Sequence, residues 1–411
     1  MRVLLIDVMC KEGSTGKIVY NLYRYINDTQ NIASVCYGRG KKIDEQYIFK
    51  FGYDIETCFH ALMTRITGYT GRFSAFSTRR LKKYIDDFKP DVVHIHELHA
   101  YFVNDIELIS YLKKNNIPIV LTLHCEYMYT GKCGHSVDCT QWMHECKKCP
   151  RVRSYPSSLL FDQTNSMFLK KKKILEDYKG LIVVCPSRWL MNRAKQSFLS
   201  NHKFTVVPNG IDTSIFHIQK CEGIKEKYGI QSDDRVVLSV APHIMSPEKG
   251  GATVVEISKR FIDKNIKFII VGVDNKEQST QSNLIIVEKI NDPNVLAQFY
   301  SMADVFLICS ERENYPTTCL EAQCCGACVC GFDTGGTKET SVIKDENLFA
   351  EYMDIDNLEK IIMYILENGC DRFKKEDISK KAIDKFSVDS MCNSYMQIYK
   401  SLLKKDERYC E

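Results

Sequence analysis

Two carboxylates stand eight positions apart in the segment Ser310-Glu311-Arg312-Glu313-Asn314-Tyr315-Pro316-Thr317-Thr318-Cys319-Leu320-Glu321-Ala322. Glu313 falls in a loop just after the apolar run at 305–309, and Glu321 falls about one turn into the helix that should follow. A loop carboxylate and a helix carboxylate so placed can face one crevice at the carboxyl end of a strand, where open α/β sheets bind ligands. Ionised carboxylates are strong acceptors, so the pair suits the hydroxyls of a sugar and a ribose.

Other residues could share that chemistry. Lys249, in Pro247-Glu248-Lys249-Gly250-Gly251, can meet a diphosphate as a point charge aided by a helix dipole; the plainer reading is a solvated turn lysine. Gly13-Ser14-Thr15-Gly16 lies between an apolar run and an amphipathic stretch. Glycines there let backbone N–H groups approach an anion, although any tight strand–helix turn favours glycine. It is not a Walker A loop, since Lys11 and Ile18 stand where Gly and Ser or Thr would be needed. Gly335-Gly336 with Glu339 reads as another strand–helix turn, a plain one or a source of backbone donors. His94, His96, His99 and His124 lie at or just past predicted strand ends, and His124 is the preferred substrate contact.

Cys133, Cys139, Cys146 and Cys149 are separated by five, six and two residues, with His135 and His144 nearby. Four thiolates would complete a tetrahedral structural zinc site and leave no open position for catalysis. Reduced thiols or a disulfide pair are the other readings. The lysine run at 170–173 could touch acidic lipid, or be a solvated helix face.

The elements that must position these groups alternate between strand and helix. Strands are predicted at 3–7, 34–37, 92–96, 119–123 and 181–185, with helices at 17–26, 79–88, 105–114 and from 188. A Pro-Asn-Gly turn signal at 206–212 interrupts the series, which restarts with apolar strands at 236–240, 268–271, 285–287 and 305–309. Two successive βα arrays imply two doubly wound lobes with a cleft between them. The boundaries expected are 1–205, with a cysteine-rich insertion at 125–153, then 206–385, then a helical tail at 386–411.

Composition agrees with a globular protein of two or three domains: 411 residues, 44% hydrophobic. A net charge of +4 argues against a dedicated nucleic-acid partner. No run approaches the length of a membrane span and no secretory leader is evident, so a cytoplasmic protein with mostly reduced, buried cysteines is expected.

Together these pieces resemble a family 4 retaining glycosyltransferase of the GT-B fold, over nearly the whole chain. The motifs that carry the likeness are Gly13-Ser14-Thr15-Gly16, Pro208-Asn209-Gly210-Ile211-Asp212, Lys249-Gly250, Glu313 with Glu321, and Gly335-Gly336 with Glu339. Thr130-Gly131-Lys132-Cys133 and the Tyr155-Pro156 and Ser158-Leu159 segments resemble bacterial capsular or exopolysaccharide members. The resemblance implies two Rossmann-like lobes facing a cleft, with a C-terminal helix crossing back to the first. It implies transfer from a nucleotide-diphosphate sugar to a saccharide acceptor, lipid-linked at the inner membrane face, with no catalytic metal or cofactor. Glu313 would contact the donor sugar, Lys249 its diphosphate and Glu321 the ribose. The backbone of Asn314, Tyr315 and Thr317 would hold sugar and phosphate. Gly16 and Gly336 would approach phosphates, and His124 would sit beside sugar or acceptor. The chain departs from the family in having no arginine in Ala241-Pro242-His243-Ile244-Met245, Asn-Tyr-Pro after Glu313, and Cys125 where an aspartate often follows the histidine. A sugar-nucleotide epimerase or hydrolase on the same fold, and a non-catalytic assembly partner, remain as alternatives.

Overall fold

In the computed structural model, which describes residues 1–262, 264–274, 281–369 and 372–406, the Val- and Ile-rich runs pair in parallel. The chain divides into two compact units: residues 1–208 with 391–411, and residues 209–390.

The first unit holds β1 (Arg2–Asp7), β2 (Ile32–Tyr37), β3 (Ile48–Lys50), β4 (Val92–Ile95), β5 (Ile119–Thr122), β6 (Leu181–Cys185) and β7 (Lys203–Val206). They form a seven-stranded sheet in the order β3-β2-β1-β4-β5-β6-β7. The second unit holds β8 (Arg235–Val240), β9 (Ile266–Val273), β10 (Leu284–Glu288), β11 (Val305–Ile308), β12 (Cys328–Phe332) and β13 (Phe349–Ala350) in the order β10-β9-β8-β11-β12-β13. Each unit has its own apolar core. In both sheets the strand order reverses once, between β1 and β4 and between β8 and β11. Such a reversal opens a crevice, because the connections on either side of it leave for opposite faces of the sheet.

The chain enters the second unit beside the point where it leaves. Ile211 N donates to Phe386 O at 2.7 Å, and Val388 N to Ile211 O at 3.2 Å. From residue 391 the last helix (Val388–Asp406) belongs to the first unit. There Tyr399 Oη lies 2.6 Å from His94 Nδ1, Tyr395 Oη 3.0 Å from Thr122 Oγ1, and Tyr25 Oη donates to Asn393 Oδ1 at 2.8 Å.

The sequence does not reveal β3, β7, β12 or β13, or the helices Asp54–Thr67 and Ile355–Asn368. The strand β12 reads Cys-Val-Cys-Gly-Phe and is buried throughout, its cysteines acting as small apolar residues. Gly13–Gly16 is not a separate loop: the helix Gly13–Asn27 starts at Gly13.

Candidate functional site

The second sheet places its candidate residues by strand order. Lys249 follows β8, Glu313 follows β11, and Gly335 and Gly336 follow β12. These three strands are neighbours, so the loops meet at one carboxyl edge. Lys249 Nζ donates to Glu313 Oε1 at 2.7 Å, across the reversal. Both side chains are partly exposed, at 30% and 20%, so a ligand can reach them. Gly250, with φ +74°, seats the lysine turn: a Cβ there would lie 2.1 Å from Cys309 O.

The loop after β11 is fixed from two sides. Gly336 N donates to Glu313 O at 2.9 Å. Gly335 pairs with Glu313 as a parallel bridge, and at φ +65° a Cβ on it would stand 1.9 Å from the same oxygen. The Gly336 N–H is therefore engaged by the protein, and its role is to hold the Glu313 loop rather than to offer a donor to phosphate. Tyr315 is buried, its ring near Phe386, and its carbonyl accepts from Asn209 Nδ2 at 3.3 Å. Only its backbone can serve a ligand. The helix Thr317–Cys324 then begins, preceded by Pro316, and directs its N-terminal amides and positive dipole end toward this loop. Glu321 lies on that helix, where its Oε2 accepts from the buried hydroxyl of Tyr300 at 2.9 Å. Tyr300 thus sets the direction of the second carboxylate.

In the first unit, groups gather at the β1/β4 reversal and the neighbouring end of β5. Asp7 ends β1 and accepts from Thr15 Oγ1 at 3.0 Å and from Glu97 N at 3.2 Å. Burial, and then the Glu97 charge, push its carboxyl up to about 7. Glu97 is buried and pairs with His99 Nε2 at 2.7 Å. Burial opposes the charge on His99, but Glu97 and then Cys125 outweigh it and hold the imidazole up to about 12. His96 Nδ1 lies 3.0 Å from His124 Nε2, and burial keeps both rings below the usual histidine value. A neutral, hydrogen-bonded His124 at a strand end can accept or donate one proton. His94 differs from this pair. It is locked between Thr122 Oγ1 at 2.7 Å and Tyr399 and is structural. Gly16 is buried, with room for a Cβ only 3.2 Å from Met9 O; Gly13 and Ser14 are the exposed residues of that turn.

Cys133, Cys139, Cys146 and Cys149 line one small cavity. Among the described residues, Glu97, His99 and Cys125 are a different trio whose ligand atoms all lie within 4.8 Å of one another. The described cysteines are free thiols. The lysine run is not a uniform solvated face. Lys171 is buried and donates to Tyr127 O at 2.7 Å, Thr130 O at 3.3 Å and Gly131 O at 3.4 Å.

Two family models match the chain. The model for Glycosyltransferase Family 4 covers residues 17–215, and that for glycosyl transferases group 1 covers residues 222–385. The chain belongs to the family 4 glycosyltransferases. WcaC of Escherichia coli (strain K12), assigned by inference as a colanic acid biosynthesis glycosyl transferase, is 22% identical over 366 residues, covering 82% of this chain and 85% of its own. The fold is GT-B. Sucrose-phosphate synthase from Thermosynechococcus elongatus superposes with a TM-score of 0.71 at 15% identity, over 98% of this chain and 99% of that one. Anabaena Alr3699/HepE in complex with UDP-glucose gives 0.62 at 14% identity, over 98% and 100%. The glycosyltransferase thus carries its candidate residues at the two sheet reversals of a GT-B fold.

Asp7, Glu97 and Tyr300 escape sequence reasoning. The one available signal for Asp7 is a carboxylate ending an otherwise apolar strand. Glu97 and Tyr300 give none, since both depend on partners remote in sequence.

Proposed function

We propose that this glycosyltransferase moves a sugar, with retention of anomeric configuration and without a metal ion, from a nucleotide-diphosphate sugar to a lipid-linked saccharide in capsular, exopolysaccharide or O-antigen synthesis. The observation that carries the donor side is the Lys249–Glu313 pair at the β8/β11 reversal. A diphosphate beside Lys249 and the helix Thr317–Cys324 has its charge met by an ammonium and a dipole. Glu313 is then released toward sugar hydroxyls, where it orients the donor and stabilises positive charge as the glycosidic bond breaks. In this reading the departing diphosphate takes the acceptor proton from the same face, and no carboxylate nucleophile is needed. Glu321, directed by Tyr300, holds the ribose. His124 stands on the acceptor side.

The lipid-linked acceptor is supported by the helix Asp54–Thr67 of the first unit, which faces the wrong way for a water-soluble surface. Its buried residues are the polar Thr57, His60 and Thr64. Ile55, Phe59, Leu62 and Ile66, spaced along one face, are exposed at 83%, 53%, 53% and 40%. Leu159, Leu160 and Phe161 extend the patch, joined where Leu159 N donates to Arg65 O at 2.8 Å. Arg65, Arg72, Arg79, Lys83 and Lys170 are exposed in the same unit. Apolar side chains beside basic ones suit an anionic lipid surface. Among the described residues no helix is long and apolar enough to cross a membrane.

The deciding experiment is calorimetry with UDP, GDP, ADP and their sugar conjugates in chelator, followed by NMR of the product anomer. One nucleotide series should bind, and the product should keep the donor's configuration. An inverted anomer removes the retaining mechanism. Turnover that needs no acceptor moves the assignment to a hydrolase or epimerase.

A further inference from the structure

We propose that Cys133, Cys139, Cys146 and Cys149 hold a structural zinc ion that staples the loop between β5 and β6. Three observations carry this beyond the sequence spacing. The first is that all four cysteines line one small cavity.

The backbone at each cysteine is also held. Cys133 O accepts from Thr130 Oγ1 at 2.8 Å, Cys139 O from Trp142 Nε1 at 2.7 Å, and Cys146 O from Asn165 Nδ2 at 3.1 Å, while Cys149 N donates to Asp162 Oδ2 at 2.7 Å. Gly131 N donates to Cys146 Sγ at 3.2 Å, the kind of N–H contact that steadies a metal-bound thiolate. Gly131 itself is required there, because a Cβ would lie 2.7 Å from Thr164 O and 3.2 Å from the Cys146 Cβ.

The third observation is charge. Zinc bound by four thiolates carries a net charge of about −2, and a buried charge needs compensation. Two buried ammonium groups lie in electrostatic reach of these thiols, together with Asp162 and Asp105. Lys132 Nζ donates to Val152 O, Ser154 O and Pro156 O at 2.6, 2.9 and 2.6 Å, and Lys171 is the second. Carbonyl oxygens satisfy the donors of both lysines but carry no full charge. The loop has little regular structure besides the short turns Tyr127–Tyr129 and Gln141–Met143, so a metal would supply order that its packing does not.

The test is elemental analysis of the full chain, purified under reducing conditions without added metal, with X-ray absorption at the zinc edge. Expected is about one zinc per chain in a shell of four sulfurs at about 2.3 Å. Cys146→Ser with Cys149→Ser should lose the ion, and Cys125→Ser should keep it. Folded protein free of metal overturns the proposal, whether its thiols are reduced or paired as a disulfide. So does zinc in a mixed nitrogen, oxygen and sulfur shell that is lost in Cys125→Ser, which would place it on Glu97, His99 and Cys125. If the double variant does not fold, the absorption spectrum of the wild type alone decides between the shells.

Discussion

Lys249 Nζ and Glu313 Oε1, sixty-four positions apart in sequence, lie 2.7 Å apart because β8 and β11 are adjacent strands whose following loops meet at one edge. Without a ligand each of the two groups is the other's partner. A bound diphosphate would therefore compete with Glu313 for the ammonium. The pair is partly exposed, so its own contribution to stability is small, and its value is in position.

Substituting the two partners should separate binding from chemistry. Lys249→Ala should weaken nucleotide-diphosphate binding roughly tenfold or more, the loss expected for one charged hydrogen bond. Glu313→Gln should leave that affinity equal or slightly tighter, since the ammonium is freed, while transfer falls by roughly 10²–10³. Calorimetry and initial rates measure the two effects. Near-wild-type turnover by Glu313→Gln would remove it from the site.

Glu321→Ala should cost the nucleotide its ribose contact, lowering affinity about tenfold. Tyr300→Phe removes only the hydroxyl that directs Glu321 and should give a smaller loss. The same calorimetric titration on both variants measures the difference. Unchanged affinity in Glu321→Ala would sink its role.

Asp7 gives a pH signature of stability. Its folded value of about 7 lies above the ordinary 3.8. A raised acid contributes stability that is complete below the ordinary value and is lost as pH rises toward 7. Asp7→Asn cannot ionise. Its melting temperature should therefore gain on that of the wild type between pH 5 and pH 8, with the gain level above about pH 8. A difference that does not vary with pH would show that Asp7 is not the buried acid of this cluster.

The exposed stripe predicts lipid dependence. Phe59→Glu with Leu62→Glu should leave folding and nucleotide binding unchanged. It should lower binding to anionic vesicles at least about tenfold, since each inserted side chain contributes roughly 1.5–3 kcal/mol. Flotation with anionic and neutral vesicles is the measurement. Equal flotation of both proteins would release this helix from a membrane role.

Much of the fold was legible because its signals are local. Buried parallel strands such as Val92–Ile95 and Leu181–Cys185 are near-continuous runs of apolar residues, and turn residues such as Asn209 and Gly210 punctuate them. Glu313, Glu321 and Lys249 stood out by type and by place after a strand. What the sequence could not supply was pairing between distant residues. Strand order brings Lys249 to Glu313 and Asp7 to Glu97, and packing of the last helix brings Tyr399 to His94. The same holds for which face of an element is buried. In the helix Asp54–Thr67 the apolar Ile55, Phe59, Leu62 and Ile66 are exposed, while the polar Thr57, His60 and Thr64 are buried. Lys171 reads as solvated until three carbonyls from another segment enclose it. Local periodicity determines which elements form. Only their packing decides which side chains meet and which see solvent, because a contact's energy depends on partners that the chain brings together late and from afar.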